Sequence, residues 1–159
     1  MASERQPMTL AGKAKLESEL KHLLQVERPS TIRAIEEARG HGDISENADY
    51  DAAKERQAFV EARIAEIQGR LANAEVVDTS VLKSNTIIFG AHVELQDCET
   101  EDEVTYQIVG EDESDVKNGK ISVFSPMARS LIGKKTGDII ELRSPKGERE
   151  FEVLRFFFK

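Results

Sequence analysis

The sequence predicts an α+β protein in two parts: an N-terminal antiparallel α-helical coiled-coil hairpin, then an antiparallel β-sheet domain with one short helix. Three observations carry that expectation. Up to about Asp78, apolar residues recur at alternating spacings of three and four. Beyond it they fall into short β-branched and aromatic runs of period two. Between the two helical stretches lies the one clustered pair of glycines, Gly40 and Gly42, which marks a turn. The 159 residues suffice for one ordinary domain or two small ones.

The first leg of the hairpin is read from Leu16, Leu20, Leu23 and Leu24, then Ile32, Ile35 and Ala38. The phase of this stripe slips at Pro29. A proline removes one backbone donor, and because the stripe resumes afterwards it should bend the helix rather than end it. The return leg is read from Tyr50, Ala53, Gln57, Val60, Ile64, Ile67, Leu71 and Ala74, the a/d seam of a coiled coil. A helix over residues 47–77 is about 46 Å long at 1.5 Å per residue, longer than a small core requires. Between Glu36 and Ala58 only Ile44 and Tyr50 are large and apolar, so the turn end has little to bury and should project into solvent or into a partner.

In the second part, strands are expected over residues 86–95, 104–109, 121–124, 139–143 and 151–157. The short helix follows Ser125 as N-cap, with Pro126 in its first turn and Gly133 closing it. The acidic stretch 97–103 reads as a solvated hairpin loop, since it lacks the glycine of a calcium loop. These readings divide the chain into an arm over 1–78, a linker over 79–85 and a second domain over 86–159.

Composition excludes several classes. Thirty acidic against 22 basic residues give a formal charge of -8, which argues against a surface that wraps nucleic acid but permits a local basic patch. Cys98 is the one cysteine, so there is neither an internal disulfide nor a cysteine zinc cluster. No apolar run approaches the ~20 residues of a membrane span, and the expectation is a soluble, cytoplasmic protein. The sequence contains no P-loop, no H-E-x-x-H and no dinucleotide fingerprint. His22, His41 and His92 are dispersed, which suits surface side chains better than ligands. Acidic neighbours disfavour a Cys98 thiolate.

The turn holds the chemistry. Asp43 and Glu46 are three residues apart, a spacing at which both carboxylates project the same way, and two such hard oxygen donors suit Mg²⁺. Alone they would hold it weakly, so the pair would complete a metal site supplied mostly by a partner. The same spacing is a capping box, with Asp43 as N-cap and Glu46 at N3, or with Ser45 as a competing cap, and that is the commoner use of the pattern. Arg39, Lys54 and Arg56 flank the acids and could accompany a phosphate backbone toward them; intrahelical pairing with Asp51 and Glu55 is the alternative.

At Ala38-Arg39-Gly40-His41-Gly42-Asp43-Ile44-Ser45-Glu46-Asn47-Ala48-Asp49-Tyr50 the sequence resembles the coiled-coil tip of the bacterial Gre transcript cleavage factors. Pro7-Met8-Thr9-Leu10, Val109-Gly110-Glu111-Asp112-Glu113, and Ser125-Pro126-Met127-Ala128-Arg129 with Ile132-Gly133-Lys134 resemble the family's other signatures, in the same order along essentially the whole chain.

The resemblance implies an FKBP-like second domain that holds the rim of the secondary channel of bacterial RNA polymerase, and an arm that enters the channel. It implies that Asp43 and Glu46 help hold the second catalytic Mg²⁺, shared with the polymerase, so that the polymerase cleaves the 3′ end of its own backtracked RNA. The isolated chain would bind no metal stably, would not be an enzyme by itself, and would be monomeric when free. By the same resemblance Arg39 and Lys54 lie where the nascent RNA 3′ end is held, Asn47 and Tyr50 support the tip, and Ser125, Pro126, Met127, Ala128 and Arg129 dock on polymerase. The modest basic content favours short cleavage products. Two features depart from the family pattern. Gly40 stands where a bulkier residue is expected, and the Phe156-Phe157-Phe158 end is unusually aromatic, either core or an exposed contact. The alternative function is a channel-binding inhibitor that stimulates no cleavage. A prolyl isomerase, suggested by the FKBP-like half alone, is disfavoured by the absence of Trp.

Overall fold

The computed structural model describes residues 5–40 and 47–159. The chain forms two compact units. One is Lys13–Asn73; the other is Ala74–Lys159 together with the N-terminal segment that ends at Gly12. This division departs from the expected boundaries at 78 and 85 in two places, and both have one cause. Residues Gln6–Thr9 form a strand, β1, that pairs in parallel with β2, Ala74–Val77, in the register Gln6↔Ala74 to Thr9↔Val77. The end of the expected second helix is therefore a strand, and the start of the chain belongs with the second unit.

In the first unit, α1 (Leu10–His22) continues through a five-residue π-turn, Leu23–Glu27, into α2 (Arg28–Arg39), and α3 (Ala48–Ala72) returns antiparallel to them. At 25 residues α3 is about 37 Å long. Pro29 sits in the first turn of α2, and the Arg28 N–H donates to the Leu23 carbonyl five residues back. The extra residue in that turn shifts the phase of the stripe. Thr31, fully buried, takes the seam position expected of Ile32, which is 44% exposed instead. The Thr31 hydroxyl is satisfied by donating to the Arg28 carbonyl at 2.8 Å. Leu16, Leu23, Ile35 and Ala38 face Ala53, Val60, Ile64 and Ile67 as the buried seam. Forked ion pairs flank it: Arg63 donates to both Glu19 oxygens at 2.8 Å, and Arg28 to those of Glu61 at 2.9 and 2.7 Å. Arg56 also pairs with Glu27 across the hairpin. Half-exposed pairs of this kind fix register more than they add stability.

The second unit is a five-stranded sheet in the order β5-β4-β3-β7-β6, with strands His92–Asp97 (β3), Glu103–Val109 (β4), Lys120–Ser122 (β5), Ile139–Ser144 (β6) and Gly147–Phe157 (β7). The expected sheet was antiparallel throughout. The observed one is mixed, because two 3₁₀ turns at Glu111–Glu113 and Val116–Asn118 carry the chain across so that β5 runs parallel to β4. Residues 86–91, expected to begin the first strand, run irregularly. Ile87 is nonetheless core, its N–H bonded to the Lys134 carbonyl at 2.9 Å. The helix α4, Pro126–Leu131, starts as expected at Ser125, whose hydroxyl accepts from the Ala128 N–H at 3.2 Å, and Gly133 closes it at φ +88°. Ala128 and Leu131 bury against Val93, Leu95, Ile108 and Val153.

A bulge where β3 meets β7 decides the fate of the aromatic end. Leu95 pairs with Val153 but Glu94 with Arg155, so Leu154 is the extra residue and the alternation inverts beyond it. Phe156 and Phe158 consequently pack on the core, while Phe157 turns to the opposite face, stacked on His92 at 5.2 Å.

The acidic loop is organised by one of its own members. Asp97, 3% exposed, accepts from the Glu99 and Thr100 N–H groups at 2.8 and 3.1 Å and from Arg149 at 3.1 and 2.5 Å. The Arg149 guanidinium, followed by the two amides, holds its carboxyl below the usual range. A carboxyl depressed in the folded state contributes stability in full above its unfolded pKa of about 3.9 and loses it as pH falls through the lower folded value. Asp97→Asn should therefore melt below the wild type at pH 7, and the gap should close below about pH 4. Melting temperatures of both proteins from pH 7 to 3 test this; a gap that persists or widens in acid rules it out. Among the described residues no helix is long and apolar enough to cross a membrane.

Candidate functional site

At the turn end of the arm, α2 closes with the Gly40 N–H shared between the Glu36 and Glu37 carbonyls at 3.2 and 3.1 Å. Gly40 keeps an ordinary helical conformation there (φ −65°, ψ −14°), so the smaller side chain leaves the helix end formed. Opposite it, Asn47 caps α3. Its Oδ1 accepts from the Tyr50 N–H at 3.1 Å, and its Nδ2 donates to the Ala38 carbonyl at 2.6 Å. One side chain thus satisfies an amide at the start of one helix and a carbonyl at the end of the other, the groups that helix termini leave without partners.

Asp43 and Glu46 lie outside the described residues, in the six-residue span between Gly40 and Asn47. The capping-box alternative names Asp43 or Ser45 as the cap, whereas the cap of α3 is Asn47. Two carboxylates are a donor set of the hard-oxygen kind that Mg²⁺ takes. Arg39 and Lys54 are exposed, in the last turn of α2 and the second turn of α3, and Lys54 reaches Gln57 at 3.5 Å. Arg56 is engaged with Glu27, away from Asp51 and Glu55. Tyr50 is half-buried and supplies the amide that Asn47 binds.

Losing the Asn47 amide should be costly for its size. Asn47→Ala removes a cap, about 1 kcal/mol, and leaves the Ala38 carbonyl short of a donor, for a total of about 2 kcal/mol. Asn47→Asp, which keeps the acceptor but not the donor, should fall between. Faster amide exchange at Tyr50 in that order is the measurement; equal protection in all three proteins contradicts it.

The second unit brings part of the 125–129 segment to a cleft of about 450 Å³. Ser125, Pro126 and Met127 form one wall; Tyr106, Val116, Ile121 and residues 142–145 form the rest, and the lining is mostly apolar. The remaining two residues of the segment point elsewhere. Ala128 is fully buried and holds α4 to the sheet, and Arg129 borders a smaller depression with Lys134 and Glu141. The sequence reading missed Val116, 63% exposed, and the 142–145 turn, whose only signal is Pro145 beside an apolar strand.

A family profile described as transcription elongation factor, N-terminal (GreA/GreB), matches residues 6–76, and one described as transcription elongation factor, GreA/GreB, C-term, matches residues 82–156. The chain is 58% identical to the transcription elongation factor GreA of Hyphomonas neptunium, covering 98% of this chain and 99% of that one. It is 57% identical to the protein of the same name from Acidiphilium cryptum, covering 96% and 97%. Among solved structures it is similar to the GreA factor homolog 1 (Gfh1) of Thermus thermophilus, at 28% identity and a TM-score of 0.45, covering 96% and 99%.

Proposed function

The chain belongs to the GreA/GreB family of transcription elongation factors, and on that premise we propose that it acts on RNA polymerase as an accessory to cleavage of backtracked RNA. The C-terminal unit docks through the cleft beside α4 at the rim of the secondary channel. The arm carries Asp43 and Glu46 to the polymerase active centre, where they complete a Mg²⁺ site. The observation that best supports this reading is the Asn47 clamp, because it ties together the two helix ends that flank the acid-bearing residues.

When bound, Mg²⁺ supplies positive charge at the attacked phosphate and a more acidic water. The chain's own part is to present two carboxylates as oxygen donors, and to place Arg39 and Lys54 near the phosphates of the extruded RNA. An arm with few apolar side chains at its end gains little by packing against its own protein, so it is free to project, and its charged groups need polar or ionic partners where it leaves solvent. The chain hydrolyses nothing by itself in this scheme.

A purified backtracked elongation complex with end-labelled RNA and Mg²⁺ tests the reading. Addition of this protein should shorten the RNA from its 3′ end within seconds to minutes, and the protein with free RNA should do nothing. Slowed transcription without shortening would instead identify an inhibitor, and RNA loss without polymerase would identify a nuclease.

A further inference from the structure

Two stretches singled out in the sequence play no part in the site above: residues 7–10 and residues 109–113. In the C-terminal unit they meet. Glu113 ends the 3₁₀ turn after β4, and its carboxylate takes three donors, the Thr9 N–H at 3.0 Å, the Gly110 N–H at 3.1 Å and the Thr9 hydroxyl. Thr9 is 3% exposed, and its Oγ1 in turn accepts from the Gly12 N–H at 3.0 Å, which makes Thr9 the cap of α1. Both nearby glycines are required by this packing. A Cβ on Gly110 would stand 2.7 Å from the Pro7 carbonyl oxygen and 3.0 Å from Glu113 Oε2, and one on Gly12 would fall inside the Glu113 carboxyl.

Connectivity gives these bonds their meaning. The chain passes between the units at Gly12, inside α1, and again at Asn73, just before β2. Leu10, Ala11 and Gly12 belong to the C-terminal unit, yet α1 runs on to His22. Whatever grips the first turn of α1 therefore grips the root of the arm. The β1–β2 ribbon has only four paired positions to do so. Glu113 adds a charge-assisted anchor that ties Thr9, the last residue of β1, to the turn after β4 and places an anion at a helix start, where the dipole favours it.

We infer that Glu113, through Thr9, is a positioning residue: it holds the root of the arm to the docking unit so that docking places the acid tip. This rests on the function proposed above. Misplacing reacting groups by about an ångström can cost on the order of 100-fold in rate, so a loosened root should lower the maximal cleavage rate without loosening the docking surface.

The test uses the full-length chain and two measurements. In the cleavage assay, Thr9→Val and Gly12→Ala should lower the saturating rate at least ~10-fold, with the half-saturating concentration changed by less than about twofold, and Thr9→Ser should restore the rate. Full activity in Thr9→Val and Gly12→Ala overturns the inference, as does equal impairment in Thr9→Ser. A parallel loss of docking and rate also overturns it. The second measurement needs no polymerase. Spin labels on Cys98 and on Ala62→Cys in α3 report the distribution of distances between the units; it should broaden in Thr9→Val and not in Thr9→Ser. An unchanged distribution overturns the inference even if the protein stimulates no cleavage, whereas broadening in a protein inert toward polymerase upholds the anchor and removes only the proposed function.

Discussion

A protein carrying Asp43→Asn and Glu46→Gln is expected to occupy a backtracked polymerase as well as the wild type and to remove almost no RNA. The expected loss in maximal cleavage rate is at least ~100-fold, the scale seen when a group that stabilises developing charge in a catalytic site is deleted. Neither substitution should change the stability of the arm by much, because the start of α3 is capped by Asn47. Asn and Gln keep the size of the acids but not their charge, so the deficit reports on the carboxylates and not on shape. Added in excess to wild-type protein, the double variant should act as a competitor. Quenched time courses over a range of protein concentrations separate rate from occupancy. Retained cleavage in the double variant would remove Asp43 and Glu46 from the mechanism, and loss of competition would show that they serve in docking.

The opposite kinetic signature is expected from Val116→Asp. Val116 is 63% exposed on the wall of the cleft beside α4, so the unit should fold with the substitution in place. Burying a valine side chain against a partner contributes roughly 1.5 kcal/mol or more, and forcing a carboxylate into the same apolar contact adds a desolvation cost. The half-saturating concentration should rise at least ~10-fold, since each 1.4 kcal/mol is a factor of ten. The maximal rate at saturation should be unchanged, because the arm is untouched. An unaltered half-saturating concentration would place docking elsewhere on the unit, and the depression bordered by Arg129 and Lys134 would be the next surface to alter.

The helical hairpin was legible because its signal is local and repetitive. Ala53, Val60, Ile64 and Ile67 fall on the seam at the spacing that announces them. What escaped reading depended on events elsewhere in the chain. Ile32 looked like seam and Thr31 did not, because the phase there is set by a π-turn beside Pro29 and not by the residues themselves. Residues 74–77 continue an acceptable helical pattern. They become a strand only because Gln6–Thr9 lies alongside, a pairing between segments of four residues each that no local periodicity marks. The parity of the final phenylalanines similarly depends on the Leu154 bulge. At the tip, the residue types pointed to the acids and the resemblance named Asn47 as a support, but its bond to the Ala38 carbonyl joins two helix ends nine residues apart and is marked by no local spacing.

The parallel ribbon also bears on how such a chain can change over time. Because β1 and β2 are neighbours in register, everything between Thr9 and Ala74 is an excursion that departs from and returns to one place in the sheet unit. In that sense the arm is an insertion within a domain, and not a domain joined end to end with another. Its length is thereby a variable separate from the fold that carries it. Matched additions or deletions of about seven residues on each leg keep the seam in phase and leave the ribbon's ends where they were. Reach can thus change in heptad steps without altering the surface beside α4. An unmatched change on one leg, by contrast, would have to be absorbed by another irregular turn like the one at Leu23–Glu27.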